Sequence, residues 1–203
     1  MKQKIQIRCK NNKKSQKVEI GSTLFDVFSS FDLKMTHGPV SARVNNKVEG
    51  MHYRVYNSKD VEFLDMNSAS GSRAYTRTLF FVLCKAVQDI YPNTDVVIDI
   101  PVSNGFYVDI RLGRPVVDED VNILRRRMQD IIDSKTPIRR FTVPTEEAIA
   151  LFQEKGDVEK VKLLRTSGSI YTTYYKIGEY VDYYYGTLLT NTSQLYLFGL
   201  EKY

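Results

Sequence analysis

Apolar and polar positions alternate at the start of the chain. Residues 4–9 place isoleucine, isoleucine and cysteine at every second position, which is the pattern of a strand with one buried face. Polar residues at 11–14 predict a turn, and residues 17–20 predict a second strand. The chain is therefore expected to begin with a β-hairpin.

The period of the pattern changes from two residues to a helical repeat after the hairpin. Ser22 or Thr23 is the expected N-cap of a helix. Its apolar face is formed by Leu24, Val27, Phe28 and Phe31. Short strands are predicted at 42–44 and 60–64. This order of elements over residues 1–66 is typical of a ubiquitin-like β-grasp roll, in which a helix packs across a small mixed sheet.

A small, polar stretch at 67–72 is predicted to be a linker to a second unit at 73–203. That unit begins with a strongly apolar helix that Pro92 ends. Further elements follow, namely strands at 95–101, 106–112 and 139–143 and helices at 118–134, 145–155 and 157–165. The segment from Ser169 is tyrosine-rich and predicted to be strand-like. We expect an α+β unit, with an antiparallel sheet that carries helices on one side.

The positive charge of the chain is confined to its first twenty residues. The formal net charge is +5, but residues 1–20 contain seven basic residues and a single acidic one. The remaining 183 residues carry 22 basic and 23 acidic groups. Any binding of a polyanion is therefore expected at the N-terminal hairpin rather than over the whole surface.

The composition excludes several classes of protein and of site. Cys9 and Cys84 both lie in apolar surroundings and are expected to be small buried side chains in a reducing cytoplasm. His37 and His52 are the two histidines, and no cysteine or histidine pair has the spacing of metal ligands. The sequence contains neither a phosphate-binding P-loop motif nor a nucleophile elbow. No signal peptide or membrane-spanning segment is predicted.

Residues 1–66 resemble a TGS domain, the ubiquitin-like module at the N-terminus of threonyl-tRNA synthetases. The likeness lies in residues 18–27, with the sequence VEIGSTLFDV, and in the predicted strand at 60–64. The resemblance implies the same roll that the pattern of apolar positions predicts.

Residues 73–186 resemble the second domain of threonyl-tRNA synthetases, the editing-type domain shared with alanyl-tRNA synthetases. The likeness lies in three motifs, which are KAVQDIYP at 85–92, NGFYVD at 104–109 with VDEDV at 117–121, and YVD at 180–182. The order and spacing of these motifs imply the tandem arrangement found in that family.

The resemblance also implies a metal-type editing site that this sequence has lost. Editing domains of the family carry a His-x-x-x-His on the first helix and a Cys-x-x-x-His later in the chain. The matching positions are Arg77, Phe81, Tyr184 and Leu188. These side chains do not suit a tetrahedral zinc site. We expect a remnant editing pocket that is filled with aromatic side chains, with no metal ligand and no catalytic residue.

The same tandem also resembles the N-terminal region of bacterial nucleoside kinases of the uridine kinase type. In those proteins a phosphotransfer domain of the phosphoribulokinase/uridine kinase type follows, and the full-length protein uses ATP and Mg²⁺. The apolar segment 195–200 runs to Tyr203 without a polar tail, which we interpret as an internal boundary. The resemblance implies that this chain is a non-catalytic regulatory or RNA- or nucleotide-binding region of such a kinase, without a cofactor of its own.

The basic N-terminal cluster has two interpretations. Its side chains are candidates for contact with the phosphates of tRNA or another RNA: Arg8, Lys10, Lys13, Lys14 and Lys17. The other interpretation is a solvated hairpin whose charges protect an edge strand. Arg125–Arg127, on consecutive helical positions, are weaker candidates for RNA contact.

Aromatic residues in the second unit leave further alternatives open. Tyr183–Tyr185 alternate sides of a predicted strand, so at least one should point into the remnant pocket. Arg77 and Tyr184 either hold a nucleotide or phosphate there or form a structural stack. The tyrosine-rich sheet either packs a half-buried face or offers a platform for base stacking.

Two other functions compete with the kinase-associated one. The first is a free-standing aminoacyl-tRNA deacylase, against which the missing ligands argue. The second is a protein-interaction module that binds neither nucleic acid nor nucleotide. Binding of tRNA that weakens steeply with salt would separate the RNA-binding function from the last of these.

Overall fold

A five-stranded sheet with one helix forms the N-terminal part of the chain. The computed structural model describes residues 3–103 and 105–203. The first two strands, β1 (Lys4–Cys9) and β2 (Ser15–Glu19), form the predicted hairpin. Helix α1 (Leu24–Ser29) follows and is capped by Thr23, whose hydroxyl accepts a hydrogen bond from the Asp26 amide at 3.2 Å.

The remaining strands of this sheet are β3 (Ser41–Val44), β4 (Lys47–Gly50) and β5 (Lys59–Leu64). The strand order is β2-β1-β5-β3-β4, and β1 pairs with β5 in parallel while the other pairs are antiparallel. Strand β4 is absent from the predicted order. It is short, and a buried glutamate and a glycine interrupt its apolar pattern.

One hydrophobic cluster lies between this sheet and α1. Leu24 and Val27 of the helix are fully buried against Ile7, Val61 and Phe63 of the sheet. Phe31 is buried as predicted, although the helix ends before it, at Ser29. Most apolar positions of residues 3–66 therefore converge on one core, whereas Val40 and Met66 pack in the cluster around α2 and α3.

The segment 67–72, predicted to be a linker, is the beginning of a long helix. Helix α2 spans Ala69–Ile90, and the hydroxyl of its N-cap Ser68 accepts a hydrogen bond from the Gly71 amide at 3.0 Å. Gly71 is buried, and a Cβ there would lie 1.9 Å from the carbonyl oxygen of Asp65. The small polar residues therefore serve close packing and capping, and the linker prediction is wrong for residues 69–72.

Helix α2 packs against a second helix, α3 (Asp118–Asp133), and a separate two-stranded ribbon. The ribbon consists of β6 (Val96–Val102) and β7 (Gly105–Ile110). Asp120 at the start of α3 binds Arg114 through two bonds of 2.6 and 2.7 Å and accepts a third from the Tyr91 hydroxyl at 2.7 Å. These bonds join the end of α2 to the start of α3.

The second sheet is three-stranded and antiparallel, and helices cover both of its faces. Its strands are β8 (Arg139–Pro144), β9 (Tyr171–Ile177) and β10 (Tyr180–Tyr183), in the order β10-β9-β8. Tyr175 and Ile177 face the cluster of α2 and α3. Tyr174 and Tyr183 face the helices α4 (Thr145–Glu154) and α5 (Val158–Thr166). The prediction for this unit is therefore wrong in the number of sheets, since the ribbon of β6 and β7 is separate. It is also wrong in placing helices on one side only.

The segment after β10 is not the strand-like region that its tyrosines predict. Beyond a 3-10 turn at Thr192–Gln194 it runs as an extended strap over α2 and α3. Tyr75 of α2 holds this strap, since its hydroxyl accepts hydrogen bonds from the backbone amides of Tyr196 and Leu197 at 3.0 and 2.8 Å. The ring of His37 stacks on Tyr196 with 4.0 Å between centroids, so the strap also contacts the N-terminal part.

Within residues 3–103 and 105–203, no helix is both long enough and apolar enough to cross a membrane.

Candidate functional site

The basic hairpin is a solvent-exposed surface formed by Arg8, Lys10, Lys13, Lys14 and Lys17. Among the described residues, no carboxylate lies within ion-pair distance of any of these five side chains. Lys10, Lys13 and Lys14 lie in and beside the turn, where Lys13 adopts a positive φ of 61°. The turn therefore projects three cations from one end of the sheet.

Arg8 and Lys17 continue this charge along the outer face of the sheet. In β1 and β2 the buried positions are Ile7, Cys9 and Val18, so the alternate positions Arg8 and Lys17 face solvent. Asp60 of β5 is the register partner of Arg8 and limits the basic surface on that side. All five residues predicted to contact RNA thus lie on one exposed corner.

The run Arg125–Arg127 is a weaker candidate because two of its side chains are already occupied. Arg127 donates two hydrogen bonds to Asp89, at 3.0 and 2.8 Å. Arg125 binds the carbonyl of Leu200 and the side chain of Asn122. These contacts hold α3 to α2 and to the strap.

The four residues that the resemblance matches to metal-ligand positions lie between α2 and the segment after β10. We call this set, Arg77, Phe81, Tyr184 and Leu188, the α2–β10 pocket. Phe81 is fully buried, and its ring lies edge-on to Tyr184 with 5.7 Å between centroids. Leu188 is buried in the same cluster.

Arg77 lies at the rim of the pocket. Its guanidinium donates a long hydrogen bond of 3.4 Å to the carbonyl of Thr187. It also lies directly over Gly186, where a Cβ would be 2.8 Å from the arginine Cζ. Gly186 has a φ of 110°, so only glycine both fits beneath the arginine and adopts this backbone conformation without strain.

A buried polar network lies next to the pocket. The Tyr180 hydroxyl donates a hydrogen bond to Asp182 at 2.8 Å, and the Lys160 ammonium lies 2.9 Å from the same carboxylate. Lys160 also binds Asp157, the N-cap of α5, at 2.6 Å. Burial opposes the charge of Lys160, but the two carboxylates outweigh this effect and raise its pKa.

Sequence reasoning missed Lys160 as part of this region. It stands among the apolar residues of α5 without a motif that would distinguish it from a surface lysine. The Asp182 carboxylate that it binds belongs to the YVD motif at 180–182, which gave the resemblance but no role for the residue. The pairing becomes visible only when α5 packs beside β10.

Cys84 and Tyr184 are held in their neutral forms inside this region. Burial, together with the nearby Asp182 charge, raises the pKa of the Cys84 thiol to about 12. Burial also raises the pKa of Tyr184, whose hydroxyl lies beside the thiol. A thiol with such a pKa is a poor nucleophile at neutral pH, so Cys84 serves here as a packing residue.

The side chains of the α2–β10 pocket do not fit a metal ion. Phenylalanine and leucine have no donor atom, and a guanidinium repels a cation. Within residues 3–103 and 105–203 no group of three or more histidine, cysteine, aspartate or glutamate side chains could hold a metal.

His52 joins the two parts of the chain and is sensitive to pH. Its Nε2–H donates a hydrogen bond to the Ile138 carbonyl at 3.0 Å. Burial lowers the pKa of His52 below the ordinary 6.5. The hydrogen bond to Ile138 raises this pKa and the charge of Arg140 lowers it, and the net shift is downward. The free energy of unfolding should therefore fall as the pH drops below about 6.5, because the unfolded chain binds a proton that folded His52 still excludes.

Urea denaturation at about pH 7.5 and about pH 5.5 measures this loss of stability. His52→Gln keeps a donor for the Ile138 carbonyl and removes the titration, so its stability should change less over this range. An equal decrease in both proteins would contradict the assignment.

One cleft lies away from both candidate surfaces. It has a volume of about 850 Å³ and is bordered by β7, by Arg114 and by residues 199–203. None of the residues predicted to bind nucleic acid or to form the remnant pocket borders it.

Comparison with curated proteins finds threonine–tRNA ligases that are similar to this chain in sequence. The threonine–tRNA ligase of Acetivibrio thermocellus is 30% identical over 181 residues, which is 89% of this chain and 28% of the ligase. This chain is similar to threonyl-tRNA synthetases. The ligase of Clostridium kluyveri is 28% identical over 192 residues, or 94% of this chain and 30% of the ligase. The ligase of Marinobacter nauticus is 25% identical over 181 residues, which is 89% of this chain and 28% of the ligase.

The similarity has a defined extent. The chain spans less than a third of the length of these threonyl-tRNA synthetases, while they match about nine-tenths of the chain. No family model matches the chain. The chain therefore contains a region of the threonyl-tRNA synthetase type, folded as a mixed α+β structure.

Proposed function

We propose that this chain is a tRNA-binding module of the threonyl-tRNA synthetase type, and that the basic hairpin contacts the phosphate backbone. The observation that carries the proposal is the exposure of the five cations of the basic hairpin, without a carboxylate partner among the described residues. A protein surface with unpaired lysine and arginine gains affinity for RNA by releasing the counterions of the phosphates. The similarity to tRNA ligases supplies the class of RNA.

We also propose that residues 1–66 are a TGS-like β-grasp domain and residues 73–203 an editing-type domain with a degenerate site. The mixed sheet order β2-β1-β5-β3-β4 with α1 packed across it supports the first assignment. The convergence of the α2–β10 pocket residues at the matching positions supports the second. In this proposal the pocket has become part of the hydrophobic core, and recognition is separated from hydrolysis.

The proposal is tested by titrating a fluorescent threonine-specific tRNA with the chain at about 50 mM and about 200 mM salt. We expect saturable binding at the lower salt and a loss of affinity of roughly 10²- to 10³-fold at the higher, as for about five phosphate contacts. A protein-interaction module would show no binding at either salt, and that result would refute the proposal.

A second candidate function is an aminoacyl-tRNA deacylase. The specific observation in its favour is the pair of half-buried Lys160 and buried Asp182 beside the pocket, since paired ionisable groups can hold and move protons. Turnover of serine-charged threonine-specific tRNA by the chain would make this function the better one. The kinase-associated function stays a prediction, which the coding sequence that follows Tyr203 would decide by the presence or absence of a P-loop motif.

A further inference from the structure

Two arginines of the second unit converge on one hydroxyl group. The Tyr175 hydroxyl donates a hydrogen bond of 2.9 Å to the carbonyl of Gly186. Arg140 lies beside this hydroxyl, and the charge of Arg77 also acts on it. Arg77 covers Gly186 directly, so its guanidinium borders the residue whose carbonyl accepts the Tyr175 hydrogen bond, while Arg140 is the register partner of Tyr175 itself.

The fold brings these two side chains to one side of the three-stranded sheet. Arg140 is the register partner of Tyr175, which faces α2, whereas Arg139 pairs with Lys176 and faces the opposite side. Arg77 approaches from α2 itself. The site is therefore formed by a helix, a strand and the segment after β10.

The two charges have no counter-ion. Among the described residues, no carboxylate lies within ion-pair distance of Arg77 or Arg140, whereas Arg114 and Arg127 are each paired with an aspartate. Arg77 is half-buried, and its one hydrogen bond to a residue that the structure describes is the long contact with Thr187. The imidazole of His52 lies close enough to feel the charge of Arg140. Arg140 itself is exposed to solvent, and two like charges held close together are stabilised by a bound anion.

We propose that Arg77 and Arg140 bind a phosphate group at the rim of the α2–β10 pocket, and that this phosphate belongs either to an RNA chain or to a free nucleotide. The planar fork of a guanidinium matches the oxygens of a phosphate and binds two of them at once. Tyr185 is next to the site and 88% exposed, so its ring is available to a base. Tyr184 points into the core against Phe81 and is not available.

This site is distinct from the basic hairpin. The proposal that its phosphate comes from RNA rests on the proposed tRNA binding, whereas binding of a free nucleotide does not. The experiment uses the whole chain with three probes, which are inorganic phosphate, AMP and a short hairpin RNA with the acceptor-stem sequence. The imidazole signals of His52 and His37 are followed by NMR, since a bound anion near Arg140 should raise the pKa of His52 alone. His37 stacks on Tyr196 and serves as the internal reference.

Three variants assign the binding to these residues. Arg140→Gln should weaken phosphate binding about tenfold or more, the effect of losing a charge-assisted hydrogen bond. Arg139→Gln removes the same charge from the other face of β8 and should leave binding unchanged. Arg77→Lys keeps the charge but loses the fork, so it should bind more weakly than the wild type if the geometry is bidentate.

Each outcome has a defined meaning. Saturable phosphate binding that Arg140→Gln weakens and Arg139→Gln does not supports the site, and tighter binding of AMP or of the RNA hairpin then identifies the source. No saturable binding of any probe, or equal effects of the two β8 variants, overturns it. A chain that binds phosphate here but fails to bind tRNA would refute the proposed function and leave this site standing.

Discussion

Neutralising the basic hairpin is expected to abolish most of the affinity for tRNA. The variant replaces three lysines of the basic hairpin, Lys10, Lys14 and Lys17, by glutamine. It also replaces the neighbouring Lys4, and all four side chains are exposed. Each lysine that contacts a phosphate contributes about 0.7 to 0.9 to the slope of log affinity against log salt. If all four contact phosphates, we expect the slope to fall by about 2.8 to 3.6, and the affinity at low salt to fall by roughly 10²-fold.

A charge-matched control separates a local contact from a general attraction. It replaces four exposed lysines of other segments by glutamine, namely Lys135, Lys155, Lys162 and Lys202. This control has the same net charge as the hairpin variant and should bind tRNA nearly as well as the wild type. Equal losses in both variants would show that net charge alone attracts the RNA, and would contradict the role of the hairpin. Circular dichroism checks that both variants are folded.

Phe81→Ala is expected to destabilise the chain by about 3 to 5 kcal/mol, the usual cost of removing a fully buried phenylalanine ring. Phe81 contacts the rings of Tyr180 and Tyr184, with centroids 5.2 and 5.7 Å away, so its loss leaves a cavity in the α2–β10 pocket. Urea denaturation of the wild type and the variant measures the difference.

The adjacent Phe80 provides the control for this substitution. It lies on a half-buried side of α2, and its ring contacts Phe106, which is itself 45% exposed. Phe80→Ala should therefore cost clearly less than Phe81→Ala. If the pocket were an open ligand site rather than core, Phe81→Ala would cost less than about 1 kcal/mol, and the account of a filled pocket would be wrong.

The sequence predicts those elements of this fold whose apolar period is regular. The hairpin and the apolar face of α1 follow from repeats of two and 3.6 residues, and the structure confirms them. Composition alone gives a wrong prediction at residues 69–72, whose small and polar side chains are typical of a linker. These residues begin α2, and position 71 requires glycine because the Asp65 carbonyl oxygen approaches it closely.

Of the candidate sites, one can be predicted from the sequence and the others form only through tertiary packing. The basic hairpin is visible in the sequence because its charges are consecutive and its strands alternate. The convergence of Arg77 with Arg140 is not visible, because these residues are 63 positions apart along the chain and only the packing of α2 on β8 and β9 brings them together. The pairing of Lys160 with Asp182 depends on the position of α5 for the same reason.

Amide hydrogen exchange of the chain with and without threonine-specific tRNA tests the central claim most directly. We predict slower exchange in peptides that cover residues 3–19 when tRNA is bound, because RNA would shield the basic hairpin. Peptides from α4 and α5, which lie in another part of the fold, should exchange equally in both samples. Unchanged exchange over residues 3–19 at a tRNA concentration that saturates the chain would contradict the account.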